Sequence, residues 1–557
     1  MNEESSRNPR RNTGRGRRRP RPTEGRPDRG RAAEPGNEAT FEPERPESQE
    51  SRGDEQAGAI NRSRPIYSDN NRGNRNGRWN GRARPAFRPN GSQNRIHAPG
   101  EERRVNGATA EDLPVLPDNP REAALRILHA VDTRSAFSDR MLDSAHTQAR
   151  SGDPRDRALL HELVKGTLRW RGRLDWILDH YVHIGIDRVQ PWVKNVLRLG
   201  AYQILFLERI PPHAAVDESV KLANKYSHPG TAGLVNSVLR KLAENRDAVE
   251  IPQGDDLETL SAWGSHPEWM VERWLARFGL EATRALLEAN NRPSPVGLRV
   301  NRLKGTRDEL IAALKAEGVE ARPAKLATDL VWIEANHSPG ALTVFRNGRC
   351  TAQDESEALI AHLVGPVAHE RILDLCAAPG GKCTHLAELM GDEGEVWALE
   401  RAEARIHSLE QTVTRLGVHS VHVVEGDGRT YQFPMPFDRV LVDAPCSGLG
   451  VLGRRADARW RKTPSLMREM PALQLDLLNA GGRRLRPGGV LVYSVCSFEP
   501  EETTHVVERF LRNSPSFILE SAQGILPDEV LDEYGYMCLM PHVHGCDGAF
   551  AARFRRT

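Results

Sequence analysis

The sequence predicts a multidomain chain with a disordered tail, an all-α domain, a small α+β subdomain and a doubly wound α/β domain. Three observations lead to this prediction: an Arg-rich start with few apolar residues, a long region with helical spacing of apolar residues, and a final region in which strands and helices alternate. At 557 residues the chain is too long for one ordinary core. We place the domains at residues 1–118, 119–247, 248–365 and 366–557.

The first segment, residues 1–118, is predicted to be disordered. It holds 24 Arg, no Lys and 18 acidic residues, a balance of +6 in a chain whose net charge is +2, so the remainder is slightly acidic. It has too few apolar side chains to form a core. Around Trp79 and Phe87, repeated Arg and Gly residues fit an arm that contacts RNA phosphates and bases, and they fit a solvated linker equally well.

The second segment is predicted to be a helical bundle. Asn119-Pro120 and Asp153-Pro154 each place a capping side chain before a proline at the first helical position. Apolar residues then follow at helical spacing. Further helices are predicted over residues 191–207, 213–225 and 231–244. By themselves, scattered Arg residues on a helical bundle more often form a charged, solvent-exposed face than an RNA-binding surface.

A linker near residues 248–265 is predicted to lead into the α+β subdomain. Val296–Val300 alternates like a strand, and Thr306 with Glu309 forms a capping box before a helix. Two short strands are predicted next, around Leu330–Ile333 and residues 342–345.

Five buried strands are predicted in the last region. They are RILDLC (371–376), EVWALE (395–400), VHVVEGD (421–427), FDRVLVDAPC (437–446) and GGVLVYSVCS (488–497). The first runs into the Gly-rich loop AAPGGK (377–382), whose small residues let the backbone approach a ligand at a helix amino terminus. Glu400, about two dozen residues beyond that loop, can accept hydrogen bonds from ribose hydroxyls.

Polar or thiol groups follow the carboxyl ends of all five strands, where open α/β sheets bind their ligands. Besides the loop and Glu400, they are Asp427, Asp443 with Cys446, and Cys496. An Asp at a strand end is often only a turn residue, and Cys is often a small buried hydrophobe. The joint pattern nevertheless predicts a functional site along one sheet edge.

Seven cysteines without a CxxC pair predict reduced thiols, a cytoplasmic location and no structural zinc. His542, His544 and Cys546 lie close together, but Gly545 and Asp547-Gly548 favour a loop over a metal site. We expect no metal ion, no membrane partner and a monomer. No apolar stretch approaches the roughly 18 residues of a membrane span.

At these strand ends the chain resembles the RNA 5-methylcytosine methyltransferases. The matching segments are DLCAAPGGK (374–382), DAPCSG (443–448), YSVCSFEPEE (493–502) and PHVHGCDGAFAARFRR (541–556). Residues 163–178 and 213–242 resemble the NusB-type RNA-binding domain, and the combination resembles the bacterial small-subunit ribosomal RNA methyltransferase B family over residues 119–557. The resemblance implies a Rossmann-like class I methyltransferase domain, an RRM-like subdomain, S-adenosylmethionine as cofactor and small-subunit (16S) ribosomal RNA as partner.

The resemblance also implies site residues. Those implied to bind S-adenosylmethionine are Cys376, Ala377, Ala378, Pro379, Gly380, Gly381, Lys382, Glu400, Asp427 and Asp443. Glu400 would hold the ribose hydroxyls, Asp427 would lie near the adenine, and Asp443 would lie between cofactor and cytosine. Cys496 would be the covalent nucleophile and Cys446 the thiol required for product release.

The chemistry explains the need for thiols. Carbon 5 of cytosine is too weak a nucleophile unless a thiolate first adds to carbon 6, and Asp443 can stabilise the charge that develops on the ring. The base must be unpaired or flipped out to reach the pocket. In DNA cytosine methyltransferases the attacking Cys follows a Pro, which would favour Cys446, whereas the RNA enzymes use the later Cys, and we predict Cys496.

One departure from the family pattern accompanies this prediction. Val495 stands where many relatives carry Thr. Cys376 and Cys383, which flank the cofactor loop, are predicted to pack rather than to react.

The segment RRADARWRKTP (454–464) carries five basic residues and Trp460. It can contact RNA phosphates beside the active centre, or it can be a solvated loop with Trp460 packed inward. We predict RNA contact.

Two other functions remain open from the sequence. The same chemistry could act on transfer RNA or another ribosomal site. Alternatively, the chain could be a catalytically inactive RNA-binding or antitermination factor. That hypothesis predicts the loss of Cys496, Asp443 or the Gly-rich loop, and all of these are present.

Overall fold

The computed structural model describes residues 116–148, 153–335 and 337–557. The predicted disordered tail, with the proposed RNA-contacting arm around Trp79 and Phe87, lies outside the described residues except for its last three positions. No helix in these ranges is long and apolar enough to cross a membrane.

The first described region is helical, as predicted. Its helices are α1 (Pro120–Arg134), α2 (Ser138–Gln148), α3 (Pro154–Arg169), α4 (Arg171–Asp179), α5 (Pro191–Phe206), α6 (Pro212–Tyr226) and α7 (Pro229–Glu244). The predicted caps are confirmed: Asn119 accepts hydrogen bonds from the backbone of Arg121 and Glu122, and Asp153 from that of Arg155. Apolar residues of these helices form one buried cluster.

The predicted linker near residues 248–265 is wrong in part, because it contains a helix. Two helices connect the bundle to the α+β subdomain: α8 (Leu257–Gly264) and α9 (Glu268–Asn291), the second interrupted at Gly279. Asp256 caps α8 by accepting from the backbone of Thr259, and Leu260 is fully buried. The region between the bundle and the α+β subdomain therefore contains a short helix that packs against α9 and α4.

The subdomain is a four-stranded antiparallel sheet in the order β2-β3-β1-β4. Its elements are β1 (Val296–Val300), α10 (Arg307–Ala316), β2 (Ala321–Pro323), β3 (Leu330–Ile333), α11 (Thr343–Arg346) and β4 (Cys350–Ala352). The capping box of Thr306 and Glu309 is confirmed. The strand predicted over residues 342–345 is wrong: the Glu317 carboxylate accepts from two backbone N–H groups there, which stabilises a helical turn.

The last region is a doubly wound α/β domain. Its strands are β5 (Arg371–Asp374), β6 (Glu395–Glu400), β7 (Val421–Glu425), β8 (Phe437–Asp443), β9 (Leu485–Val495), β10 (Phe517–Glu520), β11 (Met537–Leu539) and β12 (Ala549–Arg556). Its helices are α12 (Glu355–Val364), α13 (Gly381–Leu389), α14 (Glu403–Leu416), α15 (Ala458–Arg461), α16 (Leu466–Arg484), α17 (Thr504–Asn513) and α18 (Pro541–His544).

The sheet order is β10-β12-β9-β8-β5-β6-β7, with β11 paired to β12. The five neighbouring strands β9, β8, β5, β6 and β7 are parallel to one another, and β12 runs antiparallel to β9. Helices α12, α13 and α14 contribute to one apolar cluster, while α16 and α17 contribute to another, so both faces of the sheet are covered. The five predicted strands are thus confirmed, and their carboxyl ends lie along one edge.

Candidate active site

Backbone hydrogen bonds join the loops that follow the parallel strands. Ala377 N–H donates to Leu399 O at 3.0 Å, and Ala444 N–H donates to Ser494 O at 2.9 Å. Because β8 and β9 are neighbours, their following loops bring the two predicted cysteines together. The loops along this edge of the sheet are therefore connected to their neighbours by backbone hydrogen bonds.

Cys446 and Cys496 are in direct contact. Their Sγ atoms are 3.1 Å apart, and both residues are partly exposed. The hydrogen bond with Cys496, followed by burial, raises the pKa of Cys446 well above its usual range. Cys446 is thus held as the protonated thiol, with the second sulfur as its partner.

A buried carboxylate links the residues that follow each cysteine. Glu502 accepts hydrogen bonds from Ser447 N–H at 2.7 Å, from Ser497 Oγ at 2.6 Å and from Gln474 Nε2 at 3.1 Å, and also from the Ser447 hydroxyl. Glu502 and both serines are fully buried. We call these four residues, Ser447, Gln474, Ser497 and Glu502, the Glu502 network.

The sequence analysis assigned no role to Glu502. It lies within the matched segment 493–502, six residues after Cys496. That separation in sequence does not predict that the Glu502 side chain contacts the residues that follow both cysteines. The network fixes the backbone after Cys446 relative to the backbone after Cys496. It therefore helps to set the distance between the two sulfurs.

Asp443 lies beside the cysteines and is held from two sides. Its Oδ2 pairs with Lys382 Nζ at 2.8 Å, and its Oδ1 accepts from Ser494 Oγ at 2.8 Å. Although burial lowers the pKa of Lys382, its acidic neighbours, Asp443 foremost, raise it well above its usual range, and Cys496 contributes to the increase. Lys382 therefore remains an ammonium close to both Asp443 and Cys496.

The predicted cofactor loop, residues 376–382, forms the turn between β5 and α13. Gly380 has φ of 106°, and a Cβ there would lie 2.9 Å from Leu409 Cδ1, so this position requires glycine. Cys383 is fully buried and Cys376 partly buried, as expected for packing residues. Burial, and then the charge of Asp374, raises the pKa of Cys376 above its usual range.

Glu400 and Asp427 follow the next two strands and differ in their available oxygens. Glu400 Oε1 accepts from two backbone N–H groups, at 3.0 and 2.9 Å, whereas its buried Oε2 accepts no hydrogen bond and lies 3.3 Å from Arg405 Nη1. Asp427 pairs with Arg429 at 2.6 Å, and this neighbour lowers the pKa of Asp427 to about 2. Glu400 thus has one carboxylate oxygen, Oε2, that accepts no hydrogen bond, whereas Asp427 is paired with Arg429 in the same turn.

The prediction of RNA contact by residues 454–464 is wrong for most of the segment. Arg459 is fully buried and donates to Ser265 O at 3.0 Å and to Asn291 Oδ1 at 2.8 Å. Trp460 Nε1 donates to Leu168 O at 2.8 Å. Of the five basic residues, Arg455 alone is exposed. The segment instead packs between the α/β domain and the helical region.

One basic residue of that segment approaches the active site. Burial lowers the pKa of Lys462, and the electrostatic influence of Cys446 and Cys496 opposes this effect. Sequence reasoning had counted Lys462 only as part of a basic run. In the structure it is a second basic residue, in addition to Lys382, that interacts electrostatically with the sulfurs.

Comparisons with known proteins agree with this architecture. Family models match as follows: "16S rRNA methyltransferase RsmB/F" at residues 361–555, "NusB family" at residues 118–244, and "Methyltr_RsmF/B-like, ferredoxin-like domain" at residues 266–338. The probable ribosomal RNA small subunit methyltransferase B of Bacillus subtilis (strain 168) is 36% identical over 447 residues, which cover 78% of this chain and 98% of that protein. The chain belongs to the RsmB/F family of 16S rRNA methyltransferases. The family resemblance and the predicted fold classes are thereby confirmed.

A second relative and one solved structure extend the match. The probable ribosomal RNA small subunit methyltransferase B of Synechocystis sp. (strain ATCC 27184 / PCC 6803 / Kazusa) is 33% identical over 445 residues, covering 78% of this chain and 99% of that protein. The crystal structure of PH0851 superposes with a TM-score of 0.68 at 26% identity, covering 80% of this chain and all of that one. The similarity therefore spans the helical, ferredoxin-like and α/β regions together.

Proposed function

We propose that this chain methylates carbon 5 of a cytosine in 16S ribosomal RNA, with S-adenosylmethionine as methyl donor and Cys496 as covalent nucleophile. The observation that carries the proposal is the 3.1 Å contact between Cys446 and Cys496, beside the Asp443–Lys382 pair. Two thiols in contact suit a reaction that needs one sulfur to attack and another group to assist release. The substrate class is supported by family membership and by the NusB match.

The residues at the sheet edge fit S-adenosylmethionine. Glu400 Oε2, which accepts no hydrogen bond, is suited to the ribose hydroxyls, and the turn at Gly380 leaves room for close backbone approach. Residues 376–382 would surround the methionine end, and Asp427 would lie near the adenine. When bound, the cofactor supplies the electrophilic methyl group.

The protein side chains have distinct proposed roles. The Cys496 thiolate adds to carbon 6 of the flipped-out cytosine, which makes carbon 5 nucleophilic. The Lys382 ammonium, paired with Asp443, can offset the negative charge that develops on the ring, and the Asp443 carboxylate can accept a hydrogen bond from the cytosine 4-amino group. After methyl transfer the carbon-5 proton passes to solvent, the carbon-5–carbon-6 double bond re-forms, and the carbon-6–sulfur bond breaks to release Cys496 as a thiolate, with Cys446 assisting this release.

Roles for the two sulfurs are supported by their electrostatics. The hydrogen bond with Cys496 and then burial raise the pKa of Cys446 well above its usual range, which disfavours Cys446 as the attacking thiolate. This leaves Cys496 as the favoured attacking group. The assignment agrees with the RNA-type resemblance rather than with the Ala-Pro-Cys pattern of DNA enzymes.

The proposal is tested by methylation of small-subunit RNA with wild-type, Cys496→Ala and Cys446→Ala proteins. Bisulfite mapping should show one modified cytosine for the wild-type protein and none for Cys496→Ala. Cys446→Ala should accumulate a protein–RNA adduct that survives denaturation. Cys538→Ala, a partly exposed cysteine on β11, is the matched control and should behave like the wild-type protein.

Four results would contradict parts of the proposal. Normal methylation by Cys496→Ala would exclude it as nucleophile, and an adduct formed by Cys496→Ala but not by Cys446→Ala would reverse the two roles. Modification of transfer RNA, with none of 16S RNA, would leave the chemistry standing and exclude the proposed substrate. No methylation by the wild-type protein on any of these RNAs would favour the non-catalytic alternative.

A further inference from the structure

A cluster of two histidines and one aspartate lies away from the active site. Asp329 precedes β3 in the ferredoxin-like sheet, His362 lies in the last turn of α12, and His385 lies in α13. Asp329 Oδ2 is 2.7 Å from His385 Nε2 and 3.2 Å from His362 Nε2. All three candidate ligand atoms lie within 4.8 Å of one another. Three separate segments thus converge on one point.

The cluster is mostly buried and has one open side. The side chains of His385 and Asp329 are 0% and 6% exposed, whereas that of His362 is 24% exposed. Asp329 Oδ1 is buried and accepts no hydrogen bond. One oxygen of the carboxylate therefore faces two imidazoles while the other has no partner, and His362 offers a route from solvent.

The charge of Asp329 is not balanced by a permanent cation. Among the described residues its ion pairs are with these two imidazoles, which are cationic only when protonated. The nearby Arg299 guanidinium is used elsewhere, by Glu388 at 2.6 Å and by Gly381 O at 2.5 Å. A buried carboxylate without a lasting cationic partner is costly, so a bound cation would stabilise this arrangement.

The relative position of the imidazoles suits a shared metal ion. Their ring centroids are 5.1 Å apart and the rings are nearly perpendicular, at 89°. Two imidazoles bound through nitrogen to one tetrahedral zinc ion, at about 2.0 Å each, place their ring centres roughly 5 Å apart. Imidazole nitrogen with carboxylate oxygen favours a transition-metal ion over Mg²⁺ or Ca²⁺.

We propose that Asp329, His362 and His385 bind one zinc-type divalent transition-metal ion. The ion would join the ferredoxin-like sheet to α12 and α13. Because α13 begins at the predicted cofactor loop, the ion would hold that helix in place without contacting the substrate. The sequence analysis expected no metal, since the three ligands come from distant positions with no ligand spacing of their own.

The test uses the untagged full-length protein, stripped with a chelator and titrated with Zn²⁺ and, separately, with Co²⁺. We expect one equivalent of Zn²⁺ by calorimetry and by elemental analysis after dialysis. Co²⁺ should give the visible absorption bands of a tetrahedral site. His362→Gln should weaken Zn²⁺ binding by tenfold or more, since the Gln amide can still donate to Asp329 but ligates metal poorly. His505→Gln, on the exposed face of α17, is the control and should bind like the wild-type protein.

Thermal unfolding provides a second readout of the same site. Zn²⁺ should raise the Tm of the stripped wild-type protein and leave that of His362→Gln unchanged. The proposal is overturned if the wild-type protein retains no metal, or if His362→Gln binds Zn²⁺ as tightly as the wild-type protein does. It is equally overturned if His544→Gln abolishes binding and His362→Gln does not, because the ion would then belong to the loop of His542, His544 and Cys546.

Discussion

The Glu502 network predicts that a residue outside the cysteine motifs controls how close the two sulfurs lie. Glu502→Gln keeps the shape of the side chain and removes its charge. The amide oxygen can still accept from Ser447 N–H and Gln474, while the amide NH₂ faces the hydroxyls of Ser447 and Ser497, which must turn to accept. All four hydrogen bonds thus become neutral, and the two that involve the hydroxyls also reverse direction.

The loss of charge assistance sets the size of the effect. A hydrogen bond to a charged group contributes about 1.5–3 kcal/mol and a neutral one about 0.5–1.5 kcal/mol. Counting only the two bonds that reverse, at about 1 kcal/mol each, the loss is about 2 kcal/mol, or roughly a 30-fold decrease in the equilibrium ratio of loops in place to loops displaced. We expect methylation to decrease by up to about 30-fold.

Oxidation by diamide measures the sulfur geometry directly. The wild-type thiols, 3.1 Å apart, should form a Cys446–Cys496 disulfide rapidly, as read by peptide mass spectrometry, and Glu502→Gln should form it more slowly. Leu239→Ala, in the core of the helical bundle, lowers stability elsewhere and should leave this rate unchanged. If Glu502→Gln crosslinks and methylates at the wild-type rate, or if Leu239→Ala slows crosslinking equally, the network does not position the cysteines.

Three further predictions concern charge, packing and backbone conformation. Burial, reinforced by Asp443, raises the pKa of Asp374 from 3.8 to about 7, so the folded protein keeps a proton that the unfolded chain loses between about pH 4 and pH 7. The contribution of Asp374 to the free energy of unfolding should therefore fall by about 4 kcal/mol across that window and level off above it. Urea unfolding of Asp374→Asn should lack this decrease. Arg459→Ala should lower the free energy of unfolding by about 3–5 kcal/mol because buried acceptors lose their donor, whereas exposed Arg455→Ala should change it by less than about 0.5 kcal/mol. Gly380→Ala should weaken the binding of S-adenosylhomocysteine about tenfold, as measured by calorimetry, because the substitution introduces strain of about 1–3 kcal/mol. Gly391→Ala is the control: Gly391 is also at positive φ but has open space around it, and its substitution should not weaken binding.

The sequence predicted the features that depend on local pattern. Strand ends are visible as apolar runs followed by polar groups, so Glu400, Asp443 and Cys496 could be assigned to one sheet edge from the order of residues alone. The capping box of Thr306 is equally local. Such features are set by neighbouring residues, and one sequence is enough to find them.

Features built from distant segments could not be predicted in the same way. The Glu502 network requires knowledge that residues after β8 and β9 approach the same carboxylate, and the cluster around Asp329 requires the packing of the ferredoxin-like sheet on α12 and α13. The error at residues 342–345 has a similar cause. The caps of that helical turn come from Glu317, some 26 positions earlier in the chain.

The failed prediction for residues 454–464 changes how the helical region relates to catalysis. This segment starts near Cys446, and its neighbour Gly450 donates to Cys496 O at 3.0 Å. Farther along, Trp460 donates to the α3 backbone at Leu168, and Arg459 donates to the backbone just after α8. Arg459 and Trp460 therefore stabilise the junction between the regions. Since residues 450–460 join the Cys496 backbone to α3 and to the end of α8, the helical region is part of the framework of the active site, and a disturbance of that packing should change the position of the two sulfurs.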